Sequence, residues 1–345
     1  MSQQFSQDQQ DQMVDRVRRD LMKRFFGIAA GAAVLPLAST ATWAMPKRGA
    51  KVPDVKPVKL TDHIWVLYAR GAWPTPENQG FFANIYLVDT PKGIVVLDTG
   101  TSVQIGEMAI RMIKQHFNKP IIAAFNSHYH GDHWLGNHAF IEANPSLPIY
   151  AHPDAITAIT NAVGDDWLNQ MHKATNGAVD GTKVTAPNVG VKNGQTFQYG
   201  DVTLKVHSYG PAHSPVDIMV EVVEDKALYV GDIIMDHRIG NPSETSFQGY
   251  IKTLGVIRDG MSDRLLMPGH GKPGHEKLLK NYEDIMHGIY DNAAKAVEEG
   301  MTIAEAKQMV LADPRVSQFK DNTEGFDEIG KFVSFAYTEA EQSLF

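Results

Sequence analysis

Asn126-Ser127-His128-Tyr129-His130-Gly131-Asp132-His133-Trp134-Leu135-Gly136-Asn137 is the stretch that decides how this chain is read. It sets His128, His130, Asp132 and His133 within six residues. The run before it, Ile121-Ile-Ala-Ala-Phe125, is short, apolar and partly β-branched, the pattern of a buried strand. The polar side chains therefore follow the C-terminal end of a strand, where open α/β folds place their sites. His128 and His130, two apart, project to one side of an extended segment. Gly131 lets the backbone turn tightly, so Asp132 and His133 can face a second position close by. Neutral imidazole suits zinc or iron, and carboxylate adds charge and hardness. One segment can thus supply two ligands to each of two neighbouring metals. The plainer alternative is a polar turn with chance histidines, and the density of ligand-type residues makes it the weaker one.

Working outward, further motifs each follow an apolar run. Ile94-Val-Val-Leu97 leads into Asp98-Thr-Gly100, and Val202-Thr-Leu-Lys-Val206 precedes Gly210-Pro-Ala-His213. Ala227-Leu-Tyr-Val230 leads into Gly231-Asp232, and Leu265-Leu-Met267 into Pro268-Gly-His270-Gly. In this order, across residues 94–271, the series resembles the metallo-β-lactamase superfamily. The resemblance implies an α/β fold, a four-layer αββα sandwich over residues 58–275 with a C-terminal helical extension, 276–345, packed on it. It implies two Zn2+ ions, the first held by His128, His130 and His213, the second by Asp132, His133 and His270, with Asp232 bridging. Asp98 is then the carboxylate that orients a metal-binding histidine. A hydroxide between the metals would attack an ester, thioester, lactone or amide, with Asp132 orienting it as a catalytic residue. Many dedicated β-lactamases of one subclass carry cysteine where this chain has Asp232. The pattern therefore resembles the general hydrolase branches more closely, without removing β-lactam hydrolysis. The wider match resembles exported members associated with sulfur-oxidation or quinoprotein systems. Two other readings stay open. One is a mononuclear Fe2+ persulfide dioxygenase using His128, His130, His213 and Asp232. The other is a non-catalytic metal-binding accessory protein.

The flanks add location and partners. Arg18-Arg19 with Lys23-Arg24, the apolar run from Phe25 to Ala38 and the small-residue site Thr42-Trp-Ala44 read as a twin-arginine signal peptide over 1–44. The expectation is a periplasmic protein with no stable membrane insertion after cleavage, the apolar run being shorter than the ~20 residues of a spanning helix. Residues 45–57 read as a linker. A net charge of −8 argues against a nucleic-acid partner, and a small-molecule substrate is expected. The absence of cysteine excludes disulfides, thiolate metal sites and a cysteine nucleophile.

Strands are expected at 63–68 and 85–88, with a hairpin loop, 69–80, between them that overhangs the metals in the family. Trp73 on that loop, and His237 and Arg238 on the loop leaving Asp232, are candidates for contacting an acidic substrate. A helix is expected over 103–116, and residues 154–187 read as an undecided segment or lid. His138, His152 and His172 are expected away from the metals. Thr302-Ile-Ala-Glu305 reads as a capping box. The C-terminal helices are expected to pack on the core or form a homo-oligomer.

Overall fold

A computed structural model describes residues 48–344. The expected signal peptide over 1–44, with Arg18-Arg19 and the cleavage site, lies outside the described residues. The first sheet holds β1 (Val58–Lys59), β2 (Ile64–Leu67), β3 (Ile85–Thr90), β4 (Gly93–Leu97), β5 (Ile121–Phe125), β6 (Ile149–Ala151) and β7 (Val189–Gly190), in that spatial order. Its first four strands are antiparallel, and β4 to β7 run parallel. The second sheet holds β8 (Thr196–Tyr199), β9 (Val202–His207), β10 (Met219–Val222), β11 (Ala227–Gly231) and β12 (Leu265–Pro268), ordered β12-β11-β10-β9-β8. Here β11 and β12 are parallel and the other neighbours antiparallel.

Alternation along the strands builds the layers. Val95, Leu97 and Phe125 from the first sheet meet Leu204, Val220, Tyr229 and Met267 from the second in the central core. The opposite face of the first sheet, with Leu87, Ile94 and Val96, is covered by Ile105, Met108 and Met112 of the helix Val103–His116. Ser102 caps that helix, its hydroxyl accepting from the Ile105 N–H. The opposite face of the second sheet, with Leu228, Val230 and Leu266, is covered by Phe247 and Leu254 of Phe247–Met261 and by Leu279, Tyr282 and Ile289 of Glu276–Glu298. These four layers are the expected αββα sandwich.

Two segments flanking the sandwich pack against it in this structure. Phe332 and Val333 of the last helix, Ile329–Gln342, enter the same core as Leu228 and Tyr282, so no break in packing falls at 275/276. The apolar faces of the C-terminal helices are thus used within the chain. Residues 48–57, read as a linker, lie on the domain: Val52 is buried, and its carbonyl accepts from Arg111 at 2.9 Å. The undecided segment folds as Pro153–Ala158 and Gly164–Ala174, joined by the π-helical turn Ile159–Val163. The capping box at Thr302 and Glu305 forms with both of its hydrogen bonds.

Candidate metal centre

Every motif leaves the same end of the sandwich. Asp98 follows β4, the His128–His133 segment follows β5, and His213, Asp232 and His270 follow β9, β11 and β12. The segment turns at Gly131 into one short helical turn, Gly131–Trp134, which carries Asp132 and His133 away from His128 and His130. His128, His130, His213 and Asp232 each offer a ligand atom, all within 4.8 Å of one another. Asp132, His133, Asp232 and His270 do the same, so the two clusters share Asp232. None of these seven residues is more than 6 % exposed.

The surroundings fix which ring nitrogen faces inward. His133 Nδ1 lies 2.5 Å from Asp98 Oδ2, which leaves Nε2 toward Asp132 at 3.3 Å and Asp232 at 3.4 Å. His270 Nδ1 donates to the Phe82 carbonyl at 2.8 Å, leaving Nε2 3.1 Å from Asp132 and 3.3 Å from Asp232. His128 Nδ1 lies 3.0 Å from the Ser127 hydroxyl. His130 is reversed: its Nε2 lies 3.0 Å from Glu244, and its Nδ1 faces His213 Nε2 at 3.0 Å. Asp98 itself has a left-handed backbone, φ +57°, immediately after β4. That turn brings its carboxylate under Ser127, whose N–H and hydroxyl each donate at 2.8 Å, and the Tyr229 hydroxyl also donates to it.

These residues fit metal ions. His128 Nε2, His133 Nε2, His270 Nε2 and Asp232 Oδ1 are buried and have no hydrogen-bond partner among the described residues. Buried polar atoms are nearly always satisfied, and a cation at each cluster would satisfy all four. The electrostatics agree for His128, His213 and the two carboxylates, whereas at His130 and His133 burial opposes charging but Glu244, Asp132 and Asp232 outweigh it and raise both, so there a cation would take the place of a proton. Burial holds His128 well below its ordinary pKa and pushes His213 down to about 3. Burial opposes ionisation of Asp132 and Asp232, but their histidine neighbours outweigh it and keep both carboxyls well below the usual range. Neutral imidazoles and ionised carboxylates are the forms that bind metal.

The three expected substrate-contacting residues separate. Trp73 is 43 % exposed at the hairpin, and the Arg238 guanidinium lies 4.2 Å from its ring centroid. Arg238 is buried, and its Nη1 donates to the Ala72 carbonyl. His237 turns outward, donating from Nδ1 to the Asn322 carbonyl at 2.9 Å. His138 is buried away from both clusters, accepting from the Lys183 N–H and contacting Glu142. Glu244 and Trp167 were not anticipated. Glu244 reaches His130 from the 3₁₀ turn Pro242–Glu244 and also accepts from the Tyr129 hydroxyl at 2.7 Å. The Trp167 ring packs on His130 at 4.8 Å. The available signal was that both belong to segments bordering the ligand end of the strands.

A family model for the metallo-beta-lactamase superfamily matches residues 78–286. A linear primary-alkylsulfatase from Pseudomonas sp. is 22% identical over 268 residues, covering 68% of this chain and 51% of that protein. The chain thus spans about half the length of that relative. Among solved structures, a sec-alkyl sulfatase double mutant is similar with a TM-score of 0.63 at 17% identity, over 84% of this chain and 50% of the other. A metallo-beta-lactamase from Pontibacter korlensis is similar with a TM-score of 0.54 at 19% identity, over 68% of this chain and 99% of the other.

Proposed function

Because the chain belongs to the metallo-beta-lactamase superfamily, we propose that it is a metal-dependent hydrolase with a two-zinc centre. The observation that carries this reading is the pair of buried ligand clusters sharing Asp232. His128 through Nε2, His130 through Nδ1, His213 through Nε2 and Asp232 would hold one metal. Asp132, His133 and His270 through Nε2, and Asp232 would hold the other. Zinc bound there would supply Lewis acidity and a water acidified to a pKa of roughly 7.

The chain's own residues supply the rest. Asp98, the Phe82 carbonyl, Ser127 and Glu244 hold four imidazoles in the ligand tautomer and orientation. Asp132, in the second cluster, would orient the attacking water. Trp167 and Phe82 wall the imidazoles and keep bulk water from them. Substrates of this reading are esters, thioesters, lactones or amides, and the alkylsulfatase relative adds sulfate esters.

Elemental analysis of the purified protein tests the centre. About two zinc per chain supports it. About one iron per chain replaces it with the mononuclear dioxygenase, and turnover of none of these substrate classes by zinc-loaded protein leaves an accessory metal binder. We also propose export to the periplasm through Arg18-Arg19. Changing both to lysine should hold precursor in the cytoplasm, and normal periplasmic accumulation would reject that route.

A further inference from the structure

Asp217 is only 3 % exposed, and among the described residues no Lys, Arg or His nitrogen lies within 4 Å of its carboxylate. A carboxylate buried without a counter-ion costs stability, so its place in the fold calls for a cause. Burial pushes this carboxyl up to about 7, against the two bonds it accepts from Ser214. Those bonds run from the Ser214 N–H to Oδ2 and from the Ser214 hydroxyl to Oδ1, both at 2.9 Å. The same hydroxyl accepts from the Val216 N–H at 3.2 Å, so its own proton is committed to Asp217. The carboxylate thus closes the turn 213–217 from inside, and the residue it grips is the neighbour of His213.

That turn reaches all three imidazoles of one cluster. His213 is part of it. The Ile218 N–H, next after Asp217, donates to the Ser127 carbonyl at 2.8 Å, and Ser127 adjoins His128. At the other end the Ala212 carbonyl accepts from the Ser246 N–H at 3.0 Å, two residues beyond the Glu244 that holds His130. Ser208 ties the turn to the end of β9, its hydroxyl donating to the Asp217 carbonyl at 2.9 Å. No hydrogen bond among the described residues runs from 212–218 to Asp132, His133 or His270. Charge follows the same division. The ionisable groups that act most on Asp217 are His130 and Asp232, both of the His213 cluster. A cation held there would be the counter-ion that the buried carboxylate otherwise lacks.

We propose that Asp217 is the positioning residue of the His128–His130–His213 cluster: it holds the turn that aims these imidazoles, and so sets the metal affinity of this cluster apart from that of the other. The assignment rests on the two-cluster metal centre, not on hydrolysis.

Zinc affinity of the full chain, measured by competition with a chelator, tests it with each cluster read alone. His270→Ala leaves the His128–His130–His213 cluster as the intact one, and His213→Ala leaves the other. Added to His270→Ala, Asp217→Ala should weaken zinc by about 10-fold or more. Asp217→Asn should weaken it less, because the amide oxygen still accepts from the Ser214 N–H. Added to His213→Ala, either change should alter zinc affinity by less than about 2-fold. In metal-free protein, hydrogen exchange at the Ser214, Ile218 and Ser246 amides should quicken together in Asp217→Ala. Lower stability with zinc affinity unchanged in the His270→Ala background overturns the proposal and makes Asp217 part of the scaffold only. Equal weakening in both backgrounds overturns it as well. Should Asp217→Ala not fold, Asp217→Asn and Ser214→Ala, which removes one of the two bonds, give the same comparison. Wild type that binds neither zinc nor iron removes the centre and this assignment together. A difference between the backgrounds, with no ester, amide or sulfate ester hydrolysed by wild type, would remove the hydrolase reading and leave Asp217 standing.

Discussion

His133–Asp98 and His63–Asp225 are the same contact at opposite ends of the sandwich. In each, an imidazole Nδ1 lies 2.5 Å from a carboxylate oxygen. Asp98 follows β4 at the end from which the ligands emerge, whereas His63 precedes β2 and Asp225 precedes β11 at the other end. The His133–Asp98 side chains are both 0 % exposed, while that of His63 is 28 % exposed. The decisive difference is the second ring nitrogen. Nε2 of His133 is buried, unpartnered and turned toward two further carboxylates. A His–Asp contact alone therefore says nothing about function. The same contact with its far nitrogen aimed into a shared buried space is placed to serve as a ligand.

The largest effect should come from the residue common to both clusters. Asp232→Ala should lose most of the metal at both positions and lower hydrolysis by more than about 100-fold. Metal analysis and rates on one preparation check this, and two metals retained at full rate would end the shared-ligand assignment. Asp98→Asn should come next. It leaves His133 in place but removes the carboxylate that also takes the Ser127 and Tyr229 donors. Metal affinity at the His133 cluster should fall by about 10–100-fold, and folding stability by about 3 kcal/mol. A stability loss with unchanged metal affinity would make this end of the sandwich no different from the other.

The seven residues of the two clusters and Asp98 were legible as candidates because each lies on the segment leaving an apolar strand, so local sequence fixes the end of the sandwich at which it falls. The helix Val103–His116 was legible from periodicity and the capping box from its spacing. Other features depend on what lies opposite. β8 is an edge strand with exposed alternate residues, and β10 carries Glu221, buried only because His207 and Arg264 meet it. Glu244 and Trp167 reach His130 from segments whose paths are set by packing, so no spacing announces them. Arg238 and His237 are neighbours in sequence, yet one is buried under Trp73 and the other faces outward. That divergence follows from the left-handed backbone of His237, φ +52°.

Glu244 allows a finer cut between buttress and ligand. Its carboxylate is the counterpart, for His130, of what Asp98 is for His133, but it sits on a loop and has two donors instead of several. Glu244→Gln should therefore cost about 10-fold in affinity at the His130 cluster and leave the His133 cluster unchanged. Competition with a chelator, followed at both metal positions, checks this. Equal weakening at both would show that the loop supports the centre as a whole.

The smallest effect should belong to His63, and its sign with pH separates the two ends. The hydrogen bond to Asp225 raises the pKa of His63. Burial opposes ionisation of Asp225, but the bonds from His63 and Thr61 outweigh it and lower its pKa. Stability from a raised histidine is complete below its unfolded value of about 6.5 and fades as pH rises through the folded one. Stability from a lowered carboxyl is present above about 3.9 and is lost as pH falls through the folded value. The pair should therefore count most between roughly pH 4 and 6.5, by about 1 kcal/mol or less given the exposure of His63. Urea unfolding of His63→Ala against wild type should show a gap that closes by about pH 9 with metal content unchanged throughout. A gap that persists there would mean the contact acts by packing rather than charge, and a loss of metal would show that the far end of the sandwich is coupled to the ligands.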